Sequence, residues 1–317
     1  MVSKTLIFSD GKKGHVNQSI AFCSYLDMGY DIVEVRFKNR FFKSLSYLLD
    51  KIGFYTMSIF EIKGRFRNEL KMTENSHPEL VSGSIYSLVI SAGSGTYYAA
   101  KTIAKKLKIR SASMMLPKGY KYDFDLIFAQ THDDPPHRSN IVELPANFSY
   151  IKPMGLLKLK NESIGIVIGG GNGYLKMDKE KLKEQLDLIF SHFKGHEIAV
   201  TTSPRTPKEI EELIESYKFD HEVIYSKDPI NPIPDFLENC KTVFITSDST
   251  SMISEAISYG KANIVILPLV FKKPNKFNRF IDGLEKEGYL HIFNGTIIEK
   301  NKKIDFKKYL KRIDVNG

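Results

Sequence analysis

Polar side chains crowd one predicted strand-to-helix junction, residues 244–260, with the sequence FITSDSTSMISEAISYG. One of them must cap the helix, because the first backbone N–H groups of a helix have no partner inside it. The others are then free to meet a ligand, and a helix N-terminus attracts phosphate. A carboxylate one turn further along could accept hydrogen bonds from two ribose hydroxyls. The junction therefore predicts a nucleotide-diphosphate site made of Ser247, Asp248, Ser249, Ser251 and Glu255.

Two further loops predict contacts with phosphate. IGGGNGYL, residues 168–175, departs from the G-x-G-x-x-G dinucleotide fingerprint, yet its glycines indicate a close ligand or a phosphate held on bare N–H groups. In TTSPRTPKE, residues 201–209, Thr206 before Pro207 is typical of a helix N-cap, which leaves an arginine for a bidentate phosphate contact. These loops add Gly169, Gly170, Gly171, Asn172, Ser203 and Arg205 to the predicted nucleotide-sugar-binding residues.

A fourth loop, SDGKKGHVNQS at residues 9–19, predicts acid–base chemistry. His15 lies at the start of a predicted helix and is the first candidate for a general base, with Asp10 as its orienter or its rival. His132 and Asp133 are outside candidates for the same role. Gly11 and Gly14 permit tight backbone turns and are counted with the nucleotide-sugar-binding residues. The alternative is a solvated loop whose histidine is structural.

The elements that must position these loops follow a regular alternation. Nearly continuous apolar strands alternate with helical patterns, which is typical of parallel sheets covered on both faces. The pattern restarts near residue 160, so we expect an α/β protein with two doubly wound Rossmann-like domains. Residues 1–155 would form the first, and residues 156–317 the second, with a basic terminal helix that could pack back on the first. Ligands of such sheets bind beyond the carboxyl ends of the strands, where all four loops are predicted.

Composition narrows the class of protein. The chain has 317 residues, 42% hydrophobic and 26% charged, which fits two globular domains. Its two cysteines have no metal-type spacing, so neither a disulfide framework nor a metal site is expected. No apolar run reaches 18 residues, and the N-terminal apolar run is too short for a signal peptide, which favours the cytoplasm. The net charge of +9 indicates an anionic partner.

The positive charge is concentrated in residues 36–71, where nine Lys and Arg stand against three acids among many aromatic and aliphatic side chains. Such a segment could lie on an anionic membrane, with its apolar side down and its cations on lipid phosphates. The alternative is an ordinary helix that turns its apolar side to the core and its basic face to solvent. Nucleic acid is not expected as a partner, because no recognised nucleic-acid-binding motif is present.

At these loops the sequence resembles the mitochondrial-fission ELM family of glycosyltransferases. The matching pieces include SDGKKGHVNQ, VISAGSGT, HDDPPHRSNIV, IGGGNGY, TTSPRTP, DPINP and ITSDSTSMISEAISYGK, and they span nearly the whole chain. The resemblance implies a GT-B architecture, with two Rossmann-like domains facing across a cleft, similar to the peptidoglycan N-acetylglucosaminyltransferase. It further implies that the second domain binds the nucleotide and that the first meets a lipid-linked acceptor. The chain departs from the family pattern at Ser94 and Gly95, and at Pro204, where arginines are usual.

Together these features predict a metal-independent glycosyltransferase without a cofactor, which uses a nucleotide-sugar donor and a lipid-linked or lipopolysaccharide-type acceptor. We expect it in the cytoplasm, peripheral on the inner face of the cytoplasmic membrane. One alternative is a non-catalytic membrane-surface adaptor with a vestigial nucleotide cleft. A second is a nucleotide-sugar epimerase, although Tyr97-x-x-x-Lys101 lies in an early helix, unlike the dehydrogenase arrangement.

Overall fold

The computed structural model describes residues 4–63, 85–160, 162–271, 276–297 and 300–311. The chain divides into two compact units, Met1–Tyr150 with Phe306–Gly317, and Ile151–Asp305. The boundary expected after residue 155 falls in the extended segment that follows Tyr150. None of the described helices combines the length and the apolar composition needed to cross a bilayer.

Within the described residues the first unit contains a seven-stranded sheet of order β3-β2-β1-β4-β5-β6-β7, parallel except for β3. Its strands are β1 Lys4–Ser9, β2 Tyr30–Phe37, β3 Phe60–Ile62, β4 Tyr86–Ser91, β5 Arg110–Ser113, β6 Leu126–Gln130 and β7 Ile141–Leu144. Its helices are α1 Lys13–Tyr25, α2 Arg40–Ile52, α3 Tyr97–Leu107 and, at the end of the chain, α9 Lys307–Leu310. Short 3₁₀ turns occupy Met57–Ile59 and Thr131–Asp133.

The strands of this sheet form because their side chains are apolar on both faces. In β1 the successive residues Leu6, Ile7 and Phe8 are at most 1% exposed, although neighbouring side chains of a strand point to opposite faces. The end of the chain joins the same core. The Phe306 ring lies 5.0 Å from the Phe148 ring and 5.8 Å from the Tyr25 ring, so the basic tail is fastened to the first unit.

The second unit is built around a parallel sheet of order β11-β10-β8-β12-β13-β15, with a two-stranded antiparallel pair β9 and β14 beside it. Its strands are β8 Ile164–Ile168, β9 Leu175–Lys176, β10 Ile198–Thr202, β11 His221–Val223, β12 Thr242–Thr246, β13 Asn263–Leu267, β14 Val270–Phe271 and β15 His291–Ile292. Its helices are α4 Lys179–His192, α5 Lys208–Glu215, α6 Ile233–Asn239, α7 Thr250–Ser258 and α8 Lys276–Lys286.

Both sheets carry the strand order of a doubly wound Rossmann-like fold, which confirms the fold class expected from the sequence. The direction of winding reverses between β1 and β4 in the first unit and between β8 and β12 in the second. Loops that leave neighbouring strands at such a switch point diverge and open a crevice. Three of the four chemistry-bearing loops follow strands that flank these switch points, β1, β8 and β12, and the fourth follows β10, the neighbour of β8.

A buried carboxylate fastens the start of the second unit. The Asp235 side chain, 1% exposed, accepts hydrogen bonds from the backbone N–H groups of Met154, Gly155 and Leu156 at 2.9, 2.9 and 2.6 Å. The N–H of Leu157 donates to the same carboxylate at 3.3 Å. Charge-assisted bonds of this kind are strong, and without the carboxylate these donors would be left without their acceptor.

We expect Asp235→Ala to lower the free energy of unfolding by roughly 2–4 kcal/mol, because several donors lose one acceptor together. Urea unfolding measures the change. The control is Glu212→Ala, which removes an exposed carboxylate paired with Lys208 at 3.8 Å and is expected to cost less than about 0.5 kcal/mol. Equal losses in the two variants would contradict a stabilising role for Asp235.

Candidate functional site

The glycine loop after β8 is packed against its neighbours. The Gly169 N–H donates to Thr246 Oγ1 at 2.7 Å, and the Gly170 N–H donates to Asp248 Oδ2 at 3.1 Å. A Cβ at Gly169 would lie 2.1 Å from Asp248 Oδ1, and one at Gly170 would lie 2.0 Å from the Arg205 carbonyl oxygen. The prediction that both amides hold a phosphate is therefore wrong, because adjacent loops occupy them and account for the missing side chains.

The tip of the same loop is different. Asn172 Oδ1 accepts from the N–H groups of Tyr174 and Leu175 at 2.8 and 3.0 Å, and its Nδ2 donates to the Asp248 carbonyl at 3.0 Å. Asn172 thus shapes the loop rather than projecting from it. The amides of Gly171 and Gly173 have no hydrogen-bond partner in the described part of the chain, so the tip of this loop can still meet an anion.

Asp248 lies beneath the site and joins its loops. The carboxylate is fully buried, and it accepts from the Thr246 hydroxyl at 2.7 Å and from Arg205 Nη2 at 2.8 Å, besides the Gly170 N–H. Burial raises the pKa of Asp248, and these donors together with the Arg205 charge oppose the rise. The predicted contact between Asp248 and a nucleotide is corrected to a positioning role, because its oxygens are engaged inside the protein.

The predicted contact between Ser247 and a nucleotide is also corrected to a structural role. Ser247 is 1% exposed, and its hydroxyl accepts from the Leu269 N–H at 3.0 Å, which ties the end of β12 to the segment after β13. A buried hydroxyl with a backbone partner does not face a ligand. Its place one residue after the strand made it a candidate, but the direction of its side chain was not visible in the spacing.

Arg205 extends toward solvent from this framework. Its side chain is 49% exposed, and only one guanidinium nitrogen is held by Asp248. The backbone N–H of Arg205 donates to Ser203 Oγ at 3.2 Å. Since a guanidinium has five N–H donors, the rest of the fork can bind an anion.

Thr206 does not cap the helix that follows it. That helix begins at Lys208, and the residue before it, Pro207, makes no side-chain capping bond. The Thr206 hydroxyl instead lies 2.7 Å from the Gly169 carbonyl oxygen and accepts from the Ser203 N–H at 2.8 Å. Thr206 therefore links the loop of residues 201–209, which carries Arg205, to the glycine loop after β8. Its position before a proline did not indicate this role.

Helix α7, Thr250–Ser258, begins within the polar strand-to-helix junction of residues 244–260. Ser249 is its cap, because its Oγ accepts from the Met252 N–H at 3.3 Å. Ser251 and Glu255 lie one turn apart and are partly buried. Within the described residues no hydrogen-bond donor satisfies the Glu255 carboxylate, and burial raises its pKa to about 7. A partly buried carboxylate without such donors is open to new partners, so this position favours a ligand that donates hydrogen bonds.

The first unit holds the predicted acid–base pair. His15 lies in the first turn of α1, and its Nδ1 is 3.1 Å from both carboxylate oxygens of Asp10. Burial pushes the pKa of Asp10 upward, but the hydrogen bond and charge of His15, helped by the N–H and ammonium of Lys12, outweigh it and hold the pKa below its usual value. An ionised Asp10 favours a proton on Nδ1, which leaves Nε2 as the acceptor.

Two glycines of the loop after β4 make room for this pair. A Cβ at Gly93, whose φ is +84°, would lie 2.4 Å from the His15 ring, and a Cβ at Gly95 would lie 2.9 Å from Asp10 Cβ. Gly93 was not among the predicted site residues, and Gly95 was predicted only to be a departure from the family pattern. The signal was present in SAGSGT, where two glycines directly follow a buried strand.

The glycines of the first loop have unequal roles. Gly11 takes a φ of +83° and donates its N–H to Ser9 Oγ at 3.1 Å, so it forms the expected tight turn. Gly14 does not, because α1 already begins at Lys13. Both lie beside His15 in the first unit, whereas the other predicted nucleotide-sugar-binding residues lie in the second. Among the described residues, no group of three or more His, Cys, Asp or Glu is arranged to hold a metal ion.

Residues 13–309 match the family model described as mitochondrial fission ELM1. The chain belongs to this family. An uncharacterized protein of Rickettsia prowazekii is 32% identical over 139 residues, a match that spans 42% of this chain and only 39% of that protein. The resemblance inferred from the loop motifs is thus confirmed over most of the chain.

Solved structures identify the architecture of this family member as GT-B. The glycosyltransferase SnogD from Streptomyces nogalater is similar with a TM-score of 0.50 and 9% identity, over 93% of this chain and 88% of that one. A Listeria monocytogenes protein assigned as a UDP-N-acetylglucosamine 2-epimerase is similar with a TM-score of 0.51 and 12% identity, over 92% and 84% of the chains. At such identities the likeness establishes the fold and leaves the reaction open.

The contact between Gly93 and His15 gives a testable prediction. Gly93→Ala should displace the imidazole and lower the free energy of unfolding by roughly 2–4 kcal/mol, since a Cβ there overlaps the ring and the backbone is left-handed. Gly195→Ala is the matched control, because Gly195 has the same φ of +84° with nothing within 4 Å. It should cost only about 1 kcal/mol.

Chemical denaturation gives the two stability changes, and the imidazole NMR signals of His15 report the displacement. An unchanged His15 spectrum in Gly93→Ala would contradict the contact. So would an equal loss of stability in both glycine variants.

The raised pKa of Glu255 predicts a pH dependence. Between its ordinary value of 4.5 and about 7, the folded protein holds more protons than the unfolded chain, so this group makes stability fall as pH rises through that window. Glu255→Gln should therefore stabilise the unliganded protein by roughly 1–3 kcal/mol at about pH 8 and by little at about pH 4. Urea unfolding across this range measures it, with the exposed Glu212→Gln as control. A constant difference between Glu255→Gln and the parent at all pH values would contradict the burial of the carboxylate.

Proposed function

We propose that this protein is a metal-independent glycosyltransferase that moves a sugar from a nucleotide-sugar donor to a membrane-associated acceptor of the lipid-linked or lipopolysaccharide type. The observation that carries the proposal is the His15–Asp10 pair, with Nδ1 3.1 Å from the carboxylate oxygens at the switch point of the first sheet. A histidine oriented by an ionised carboxylate is suited to accept a proton from a hydroxyl. The GT-B fold supports the same reaction class without specifying it.

The donor would bind to the second unit. The partly open guanidinium of Arg205, the amide of Gly171 and the N-terminus of α7 offer donors to a diphosphate. Glu255 would accept hydrogen bonds from ribose hydroxyls, with Ser251 on the same helix face. Binding would give the partly buried Glu255 carboxylate donors that the described residues do not supply.

In the proposed reaction the acceptor oxygen forms a bond to the anomeric carbon while the bond from that carbon to the phosphate oxygen breaks. His15 Nε2 takes the hydroxyl proton, and Asp10 stabilises the resulting imidazolium. The departing nucleoside diphosphate gains negative charge, which Arg205 and the α7 N-terminus would stabilise without a metal ion.

Two alternatives remain candidates. The likeness to a protein assigned as a UDP-N-acetylglucosamine 2-epimerase favours a reaction that uses the donor alone, without an acceptor. A membrane adaptor would need neither donor binding nor the His15–Asp10 pair. Donor binding separates the adaptor from both enzymes, and the acceptor requirement separates the two enzymes from each other.

The first part of the test is thermal stabilisation by a panel of nucleoside diphosphates. We expect one of them to raise the Tm by roughly 2–4 °C at concentrations well above its Kd. Glu255→Ala and Arg205→Ala should lose most of this shift, whereas the exposed Lys208→Ala should keep it. No response to any nucleotide in the panel would contradict both enzymatic functions.

The second part measures release of nucleoside diphosphate from matched sugar donors with and without a membrane lipid extract. Release that requires the extract supports transfer, and conversion of the sugar without it supports epimerisation. His15→Ala should reduce transfer by about 100-fold or more while nucleotide binding stays intact. The control is His137→Ala, whose side chain is 99% exposed. Full turnover by His15→Ala would show that the base is another group.

A further inference from the structure

Helix α2, Arg40–Ile52, exposes a row of large apolar side chains although it also packs apolar residues partly against the core, namely Phe42, Leu45, Tyr47 and Leu49. Its fully buried side chains are Ser46 and Asp50, both 0% exposed. Phe41, Leu48 and Ile52 are 68, 57 and 68% exposed. At 3.6 residues per turn these three lie on one face, so they form a continuous stripe, hereafter the α2 stripe. The alternative of an ordinary helix therefore holds for the core-facing side, where apolar side chains pack, but the solvent-facing side carries the apolar α2 stripe as well as cations.

A buried polar network holds α2 in this orientation. Asp50 Oδ1 accepts from Lys101 Nζ at 2.8 Å and from the Tyr55 hydroxyl at 3.0 Å, and Oδ2 accepts from the Lys121 N–H at 2.6 Å. Lys101 is only 2% exposed, so the pair is shielded from water. Breaking a buried, hydrogen-bonded ion pair is costly. The helix therefore cannot rotate to bury the α2 stripe without losing Asp50 from its partners.

The exposed charges of α2 itself have one sign. Asp50 is the helix's own acid, and it is buried against Lys101. Arg40 and Lys51 are exposed, and by helical periodicity both project along one flank of the α2 stripe. Phe54, which follows the C-terminus of the helix after Gly53, is also exposed, at 56%. Apolar side chains between cations fit the interface of an anionic lipid bilayer.

We propose that α2 docks on an anionic lipid surface, with Phe41, Leu48 and Ile52 inserted among the acyl chains and with Arg40 and Lys51 on the phosphates. Residues 64–71, the rest of the basic segment noted in the sequence, lie outside the described residues, and the proposal does not use them. It deepens the proposed function, because it gives the enzyme a way to reach a membrane acceptor. The docking itself requires neither nucleotide nor turnover, so the two proposals fail separately.

The absence of tryptophan from the sequence allows a single-site probe. Phe41→Trp should shift its fluorescence to the blue with vesicles that contain phosphatidylglycerol, and little with pure phosphatidylcholine, because the indole leaves water only when the cations bind the surface. Leu188→Trp is the matched control, since Leu188 is 51% exposed on α4. Its emission should not change. A shift in both variants or in neither would overturn the proposal.

Vesicle co-sedimentation then tests the surface as a whole. Replacing Phe41, Leu48 and Ile52 together by Ser should weaken partitioning onto anionic vesicles by about 100-fold or more. Arg40→Glu with Lys51→Glu should weaken it by about tenfold or more, and added salt should reduce the difference. The matched controls, Leu188→Ser and Lys179→Glu with Lys194→Glu, should bind like the parent protein.

Three results would overturn the proposal. The parent protein could fail to sediment with anionic vesicles at low salt, or the triple Ser variant could still sediment. The α2 stripe would be a contact between two copies if the triple variant changed only self-association in sedimentation velocity. Normal vesicle binding without any nucleotide response would contradict the proposed enzyme and leave the docking surface intact.

Discussion

The loops of the second unit depend on one buried carboxylate, that of Asp248. Its charge is tolerated at full burial because a hydroxyl, an amide and a guanidinium all donate to it. Each of those donors belongs to a different loop or strand end, so one side chain sets the spacing of the whole site. Residue 169 is a glycine because the Asp248 carboxylate leaves no room there for a Cβ atom. The ion pair with Asp248 fixes one end of the Arg205 guanidinium.

In the first unit, too, closely packed loops and partly buried polar groups determine which residues the site contains. His15 and Asp10 lie against the loop after β4, and that loop comes close only because Gly93 and Gly95 lack side chains. In both units the glycines at the switch point are required by a neighbouring loop of the protein. Glycine-rich loops in such folds are often attributed to ligand approach. Here packing within the chain is sufficient to explain Gly93, Gly95, Gly169 and Gly170. These glycines are therefore not evidence that a ligand binds.

The fold was accessible from the sequence because each central strand is a short apolar run between helical patterns, and this alternation determines a doubly wound sheet. The pairing of His15 with Asp10 was accessible too, since both lie in one loop at a strand end. The direction of individual side chains was not. Ser247 and Asp248 follow β12 as a ligand residue would, but both side chains are buried against segments distant in the sequence, which the spacing does not show. The orientation of α2 was also hidden, because its periodicity shows two faces and only Lys101, far along the chain, decides which one is buried.

Two carboxylates of the second unit, those of Asp248 and Glu255, differ in the hydrogen-bond donors that the protein gives them. Asp248 is fully buried and accepts from three donors, whereas Glu255 is partly buried and has no donor among the described residues. Burial raises the pKa of Glu255, so its charged form is disfavoured, a cost that selection for stability alone would not keep. The same argument applies to α2, where a buried ion pair keeps three large apolar side chains in water. Each feature lowers the stability of the free protein, and each would become favourable with the kind of partner its chemistry selects, hydroxyl donors at Glu255 and a lipid surface at α2.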